Sequence, residues 1–260
     1  MAELSDIRDA IEDDDKFLIY LNPYTSGGGQ AAISTGNPDL ADNVSIMVPG
    51  MLNHMGTLET PIERSEAIHE NMSANDPDSD HASIVWMGYN APLNGEYDPE
   101  NAANDLVAFQ DGLRASHEGD VPSHNSVIGH SWGGYVAGAA DNPDIGGGLY
   151  VDSLAIIGAP ASSVNHVTEL STDPENIHII QGDDDWIEDF RDFTDFEEAP
   201  SLLEYQGMAL HKDEFFADPD NPGQELGNRL APEADTEHSG YFEDEETLTY
   251  LGEVLTGGQP

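Results

Sequence analysis

Residues 129–133, Gly-His-Ser-Trp-Gly, restrict the possible folds of this chain more than any other stretch. A short apolar run at 126–129 leads in, and a small-residue helical pattern at 134–140 follows. A serine with glycines two positions either side, between a strand and a helix, is the pattern of a nucleophile elbow. The turn is so tight that side chains at 129 and 133 would collide, so glycine keeps both places empty. Ser131 then sits at a strained bend with its hydroxyl presented. The first N–H groups of the next helix face any negative charge that develops beside it. The chain has 26 glycines, so the five residues alone carry little weight; the strand before and the helix after make them informative.

Short apolar blocks alternate with helical spacing along the rest of the chain. Strands are expected at Lys16–Asn22, near 30–34, at Asn43–Val48, 82–87, Ser153–Ile157 and 177–181, the first two forming a hairpin. Helices are expected at 61–75, 98–118 and 244–255. Residues 1–15 read as an acidic lead and 16–260 as one domain, since no repeat and no long linker divides them. The alternation predicts a mainly parallel central sheet with helices on both faces. In such sheets the site is built by loops leaving the carboxyl ends of strands. That selects residues 49–54, 88–92, Ser131, 158–160 and 183–185.

A serine hydroxyl needs a base to take its proton, and a histidine held by a buried carboxylate suits that task. When an elbow serine comes first, the acid and then the histidine follow it in the chain. His166 precedes every good acid candidate, and His178 falls inside a strand. His238 lies in a loop before the terminal helix, where the base belongs, and His211 is the alternative. For the acid, Gly182-Asp183-Asp184-Asp185-Trp186-Ile187 follows a strand; Asp185 is favoured, with Asp183 the alternative. A calcium loop would need ligands at alternate positions and a bidentate Glu, which this run lacks. The oxyanion donors are expected to be the backbone N–H groups of Trp132 and Met51, where Pro49-Gly50 lets the chain turn in close. Leu52, Asn53, Tyr89 and Asn90 are expected to line the substrate, and His130 is given no catalytic part.

Composition narrows the partners. The chain carries 52 Asp and Glu against 7 Lys and Arg, a net charge of −45, which repels phosphate backbones and anionic membranes. The acid is spread along the chain, as on a solvated surface, and that much self-repulsion is tolerable where salt shortens the Debye length to about 3 Å. A salt-adapted, halophilic protein is therefore expected. Cysteine is absent, which removes disulfides, thiolate metal sites and cysteine nucleophiles. No apolar run reaches the ~20 residues of a membrane span, and the acidic N-terminal stretch lacks the basic-then-apolar pattern of an export signal. A soluble, cytoplasmic protein is the reading, with export as part of a longer parent chain left open.

The blocks WMGYNAP, AFQDGLRA, VIGHSWGG, IIGAP, GDDDWI and EHSGYF, in that order from about Asn43 to Gly257, resemble an actinobacterial α/β-hydrolase family long catalogued as a domain of unknown function. Tyr-Gly-Ser often follows the family's nucleophile; this chain has Trp132-Gly133-Gly134. The resemblance implies an α/β-hydrolase fold, Ser131 as nucleophile, His238 as base, an Asp within 183–185 as acid, and no cofactor or metal. Taken with the residues, the expectation is a serine hydrolase forming an acyl-enzyme on a small or mid-sized ester, less readily an amide. No long lid insertion separates 153 from 177. A non-catalytic module of the same fold, binding a ligand or partner, is the competing expectation.

Overall fold

The computed structural model describes residues 2–24, 29–51, 53, 55–89, 99–159, 163–182, 185, 215–221, 223–227 and 236–258. Seven strands form one sheet: β1 (Lys16–Asn22), β2 (Gln30–Thr35), β3 (Asn43–Val48), β4 (His81–Met87), β5 (His124–His130), β6 (Ser153–Ile157) and β7 (Ile177–Ile180). Their spatial order is β1-β2-β4-β3-β5-β6-β7. β1, β2 and β4 pair antiparallel, and the other four pairings are parallel. Among the described residues the α-helices are α1 (Ala2–Ala10), α2 (Glu59–Asn75), α3 (Pro99–Ser116), α4 (Trp132–Asp141) and α5 (Glu245–Leu255).

The two-residue alternation of the strands sorts the core into two layers. Val44, Ile46 and Val48 of β3, Ile84 and Trp86 of β4, and Leu154 and Ile156 of β6 pack with Leu106 of α3 and Val136 of α4. Met47, Val85, Met87, Ala155 and Ile157 point the other way, onto Ile68 and Met72 of α2 and Leu251 and Val254 of α5. Ile7 of α1 is buried in that second layer. Strands β3, β4, β6 and β7 are buried along their whole length because both sides are covered, whereas the edge strand β1 is not. This is the mainly parallel sheet with helices on both faces that the sequence predicts.

The topology also fixes where a site can form. From β3 the chain crosses by α2 to β4 on one side, then returns by α3 past β3 to β5 on the other. The crossovers diverge between β3 and β5, so their carboxyl ends leave a crevice. Gly50 follows β3 there, and Ser131 follows β5.

Candidate active site

Ser131 stands between β5 and α4 with φ 55° and ψ −125°, a strained conformation for a residue with a side chain. Its N–H donates to Ile157 O at 2.9 Å, and its carbonyl accepts from Gly134 N at 2.9 Å, tying the bend to β6 and to the first helical turn. The flanking glycines are needed for space. A Cβ at Gly129 would lie 2.6 Å from Gly133 O, and one at Gly133 would lie 2.0 Å from Val48 O.

Two distant segments meet this serine. His238 Nε2 is 2.9 Å from Ser131 Oγ, and His238 Nδ1 is 3.0 and 3.1 Å from the two oxygens of Asp185. A carboxylate accepting from Nδ1–H leaves the Nε2 lone pair to receive the serine proton, so the network assigns the tautomer. The Asp185 side chain is fully enclosed, and that of His238 is 13% exposed. Asp185 arrives through a turn after β7, its N–H donating to Gly182 O at 3.2 Å. The alternatives His211 and Asp183 lie outside the described residues. His178 is buried in β7 with Nδ1 2.7 Å from Tyr250 Oη, and His166 is bound to Thr168 and the Ala217 carbonyl.

The loop after β3 lies directly on the nucleophile. A Cβ at Gly50 would stand 2.8 Å from Ser131 Cβ and 3.1 Å from its Oγ. Three successive carbonyls of this loop are tied off by side chains: Tyr89 Oη donates to Pro49 O, and Asn53 Nδ2 donates to Gly50 O at 2.8 Å and Met51 O at 3.2 Å. Met51 is half-buried in this loop. Trp132 opens α4, so its backbone N–H sits at the positive end of that helix, and its ring stacks on Tyr135 with centroids 5.3 Å apart. Tyr89 and Asn53, expected at the substrate, commit these donors to the loop's carbonyls. Leu52 and Asn90 lie outside the described residues.

Three further side chains hold the assembly, and sequence reasoning missed them. Tyr241 Oη donates to Asp185 Oδ2 at 2.6 Å and accepts from Gly182 N at 2.8 Å. His130 Nε2 donates to the His238 carbonyl at 2.9 Å. Arg64 donates to the Ser239 carbonyl at 3.3 Å and lies 5.2 Å over the Phe242 ring. Burial, with the nearby Arg64 charge adding to it, pushes the His130 imidazole down to about 3, so it stays neutral beside the site. Burial likewise lowers the Arg64 guanidinium, and Glu243 partly offsets that. Among the described residues no group of three or more acidic or histidine side chains converges to hold a metal ion.

A seven-stranded, mainly parallel sheet with a serine elbow at its switch point defines the α/β-hydrolase class. The chain belongs to that family: the alpha/beta-hydrolase family model Abhydrolase_8 matches residues 25–194. An uncharacterized protein of Mycobacterium tuberculosis is 32% identical over 161 residues, which are 58% of this chain and 24% of that protein. The matched stretch thus spans about a quarter of that relative's length. Two solved structures share the fold. An esterase of the archaeon Pyrobaculum calidifontis superposes with TM-score 0.54 at 13% identity, covering 98% of this chain and 90% of that one. The feruloyl esterase module of Clostridium thermocellum gives TM-score 0.58 at 9% identity, covering 94% and 88%.

Proposed function

We propose that this chain is a serine hydrolase that cleaves carboxylic esters through an acyl-enzyme. One observation carries the reading: the unbroken hydrogen-bonded run from Ser131 Oγ through His238 to Asp185, built on a strained elbow. Ser131 attacks the ester carbonyl as His238 Nε2 takes its proton, and Asp185 holds and stabilises the imidazolium. The oxyanion of the tetrahedral intermediate is met by the N–H groups of Trp132 and Met51. The carbonyls of 49–51 are bound by Tyr89 and Asn53, which keeps like-signed dipoles turned from that oxyanion. His238 returns the proton to the leaving alcohol, then activates water to release the acid product. Small or mid-sized esters are the substrate class we assign, consistent with the esterase neighbours. Residues 16–260 act as one domain in this reading.

The test is a p-nitrophenyl acyl-ester panel, run in molar salt because of the net charge of −45, with a fluorophosphonate label. The parent takes up one label at Ser131. Ser131→Ala takes none and loses about 10⁴-fold or more in kcat. Equal hydrolysis by pure mutant and parent would end the proposal and leave a binding module of the same fold.

A further inference from the structure

The carboxylate of Asp185 has partners besides His238. Its Oδ2 receives the Tyr241 hydroxyl at 2.6 Å, with Gln181 Nε2 farther off at 3.4 Å. The Tyr241 oxygen in turn accepts the Gly182 N–H at 2.8 Å. An amide can only donate, so the phenol's own proton is left to point at the carboxylate. The tyrosine is fully buried, and space is kept for it. Gly158 has φ +52°, and a Cβ there would lie 2.7 Å from Tyr241 Cε2 and 2.9 Å from Asp185 Oδ2. Tyr241 also lies three residues after His238, on the short 3-10 turn Gly240–Phe242. One segment therefore delivers both the base and the clamp on the base's partner.

We infer that Tyr241 is a positioning residue for the hydrolysis. Its hydroxyl, oriented by the Gly182 N–H, fixes Asp185 and through it His238, extending the triad to a run of four: Tyr241, Asp185, His238, Ser131. The inference rests on the serine-hydrolase reading of this site. Deleting the hydroxyl leaves a buried carboxylate with one charge-assisted hydrogen bond fewer. That carboxylate rotates more freely and binds the His238 Nδ1 proton more tightly. The turnover slows, and the imidazolium persists to higher pH. Among the described residues, the other charged or titratable groups around the turn include His130, its ring centroid 6.1 Å from that of Tyr241, Arg64 with Glu243, and Glu237 and Asp244, whose main chains bond Gly240. None of these is changed by the substitution.

Tyr241→Phe in the full chain keeps the ring and removes the oxygen. With p-nitrophenyl esters, kcat is expected to fall about 10- to 100-fold while KM stays within about twofold. The acidic limb of kcat/KM moves to higher pH, and fluorophosphonate labelling still reaches completion, only more slowly. A folded variant with the parent's kcat and pH profile overturns the inference and leaves Tyr241 as core filling. If Tyr241→Phe does not fold, 3,5-difluorotyrosine placed at 241 keeps ring and hydroxyl but donates more strongly. The limb then moves to lower pH, and an unmoved limb overturns the inference equally. Failure of the parent itself to label at Ser131 is a separate result, which removes the hydrolase reading and the inference with it.

Discussion

Ser131 and His238 end 2.9 Å apart, yet the two are held there by different kinds of force. The elbow is shaped by backbone: a residue at φ 55°, with glycines at 129 and 133 where any Cβ would strike main-chain atoms. The loop carrying His238 is shaped by side chains reaching from elsewhere. His130 holds the carbonyl of residue 238, Arg64 holds that of 239, and Asp244 caps α5 by accepting from Thr247 N at 2.8 Å. Steric exclusion admits no partial answer, because main-chain atoms cannot rotate aside. Hydrogen bonds and ring contacts can be lost one at a time, each at a modest cost. The elbow should therefore fail abruptly and the histidine loop by degrees.

The largest effect is expected at the elbow. In Gly133→Ala the new Cβ would meet Val48 O at 2.0 Å and Pro49 O at 2.9 Å, so β3 and α4 must separate. A loss of about 3 kcal/mol or more is expected, read as a lower midpoint in urea or as a failure to fold. A variant as stable as the parent would show that the elbow relaxes as the loop does.

Buried histidines give the next effect, one at the elbow and one in the sheet. His130 adjoins the elbow with its imidazole pushed down to about 3, and His178 in β7 is pushed down to about 4, each chiefly by burial. Below pH 6.5 the unfolded chain takes protons that these folded sites refuse, so stability falls as the pH drops toward those values. Each site contributes up to about 1.4 kcal/mol per pH unit. Between pH 6.5 and 5.5, where few carboxylates titrate, the pair should cost about 2 kcal/mol, measurable by thermal melts. His178→Leu should make that slope shallower without slowing ester hydrolysis; burial lowers His69 and His124 as well, so part of the slope stays. An unchanged slope would place the titration elsewhere.

The same contrast explains what could be read from the sequence. Steric demands write themselves locally: glycines two residues either side of Ser131 announce the elbow, and short apolar blocks announce the strands of the sheet. His238 and the Asp183–Asp185 run were legible because the chain order of an elbow hydrolase and the rule of loops after strands both point to them. The contact of His130 with the residue 238 carbonyl joins positions 108 apart, and that of Arg64 with residue 239 joins positions 175 apart. No spacing rule encodes such pairs, so these braces surfaced only in three dimensions. Tyr241 stood in a quoted motif, but its hydroxyl's destination on Asp185 depends on how β7 and the last loop dock. Tyr89 and Asn53 were expected at the site for their position after strands. Sequence position could not tell that their donors turn to the loop's own carbonyls.

Arg64 offers the smallest expected effect and the sharpest measure of how graded the loop is. Among the described residues its guanidinium makes one long hydrogen bond, 3.3 Å to the Ser239 carbonyl, and lies 5.2 Å over Phe242. A half-buried cation over a ring is worth about 1 kcal/mol, and a stretched hydrogen bond adds less than a short one. Arg64→Met keeps the aliphatic stem and removes both contacts. With His130 still holding residue 238, the base should stay within reach of Ser131. The expected outcome is a two- to fivefold fall in kcat, with fluorophosphonate labelling still complete. A hundredfold loss would mean that the braces act as one unit, and that the histidine loop is as unforgiving as the elbow it meets.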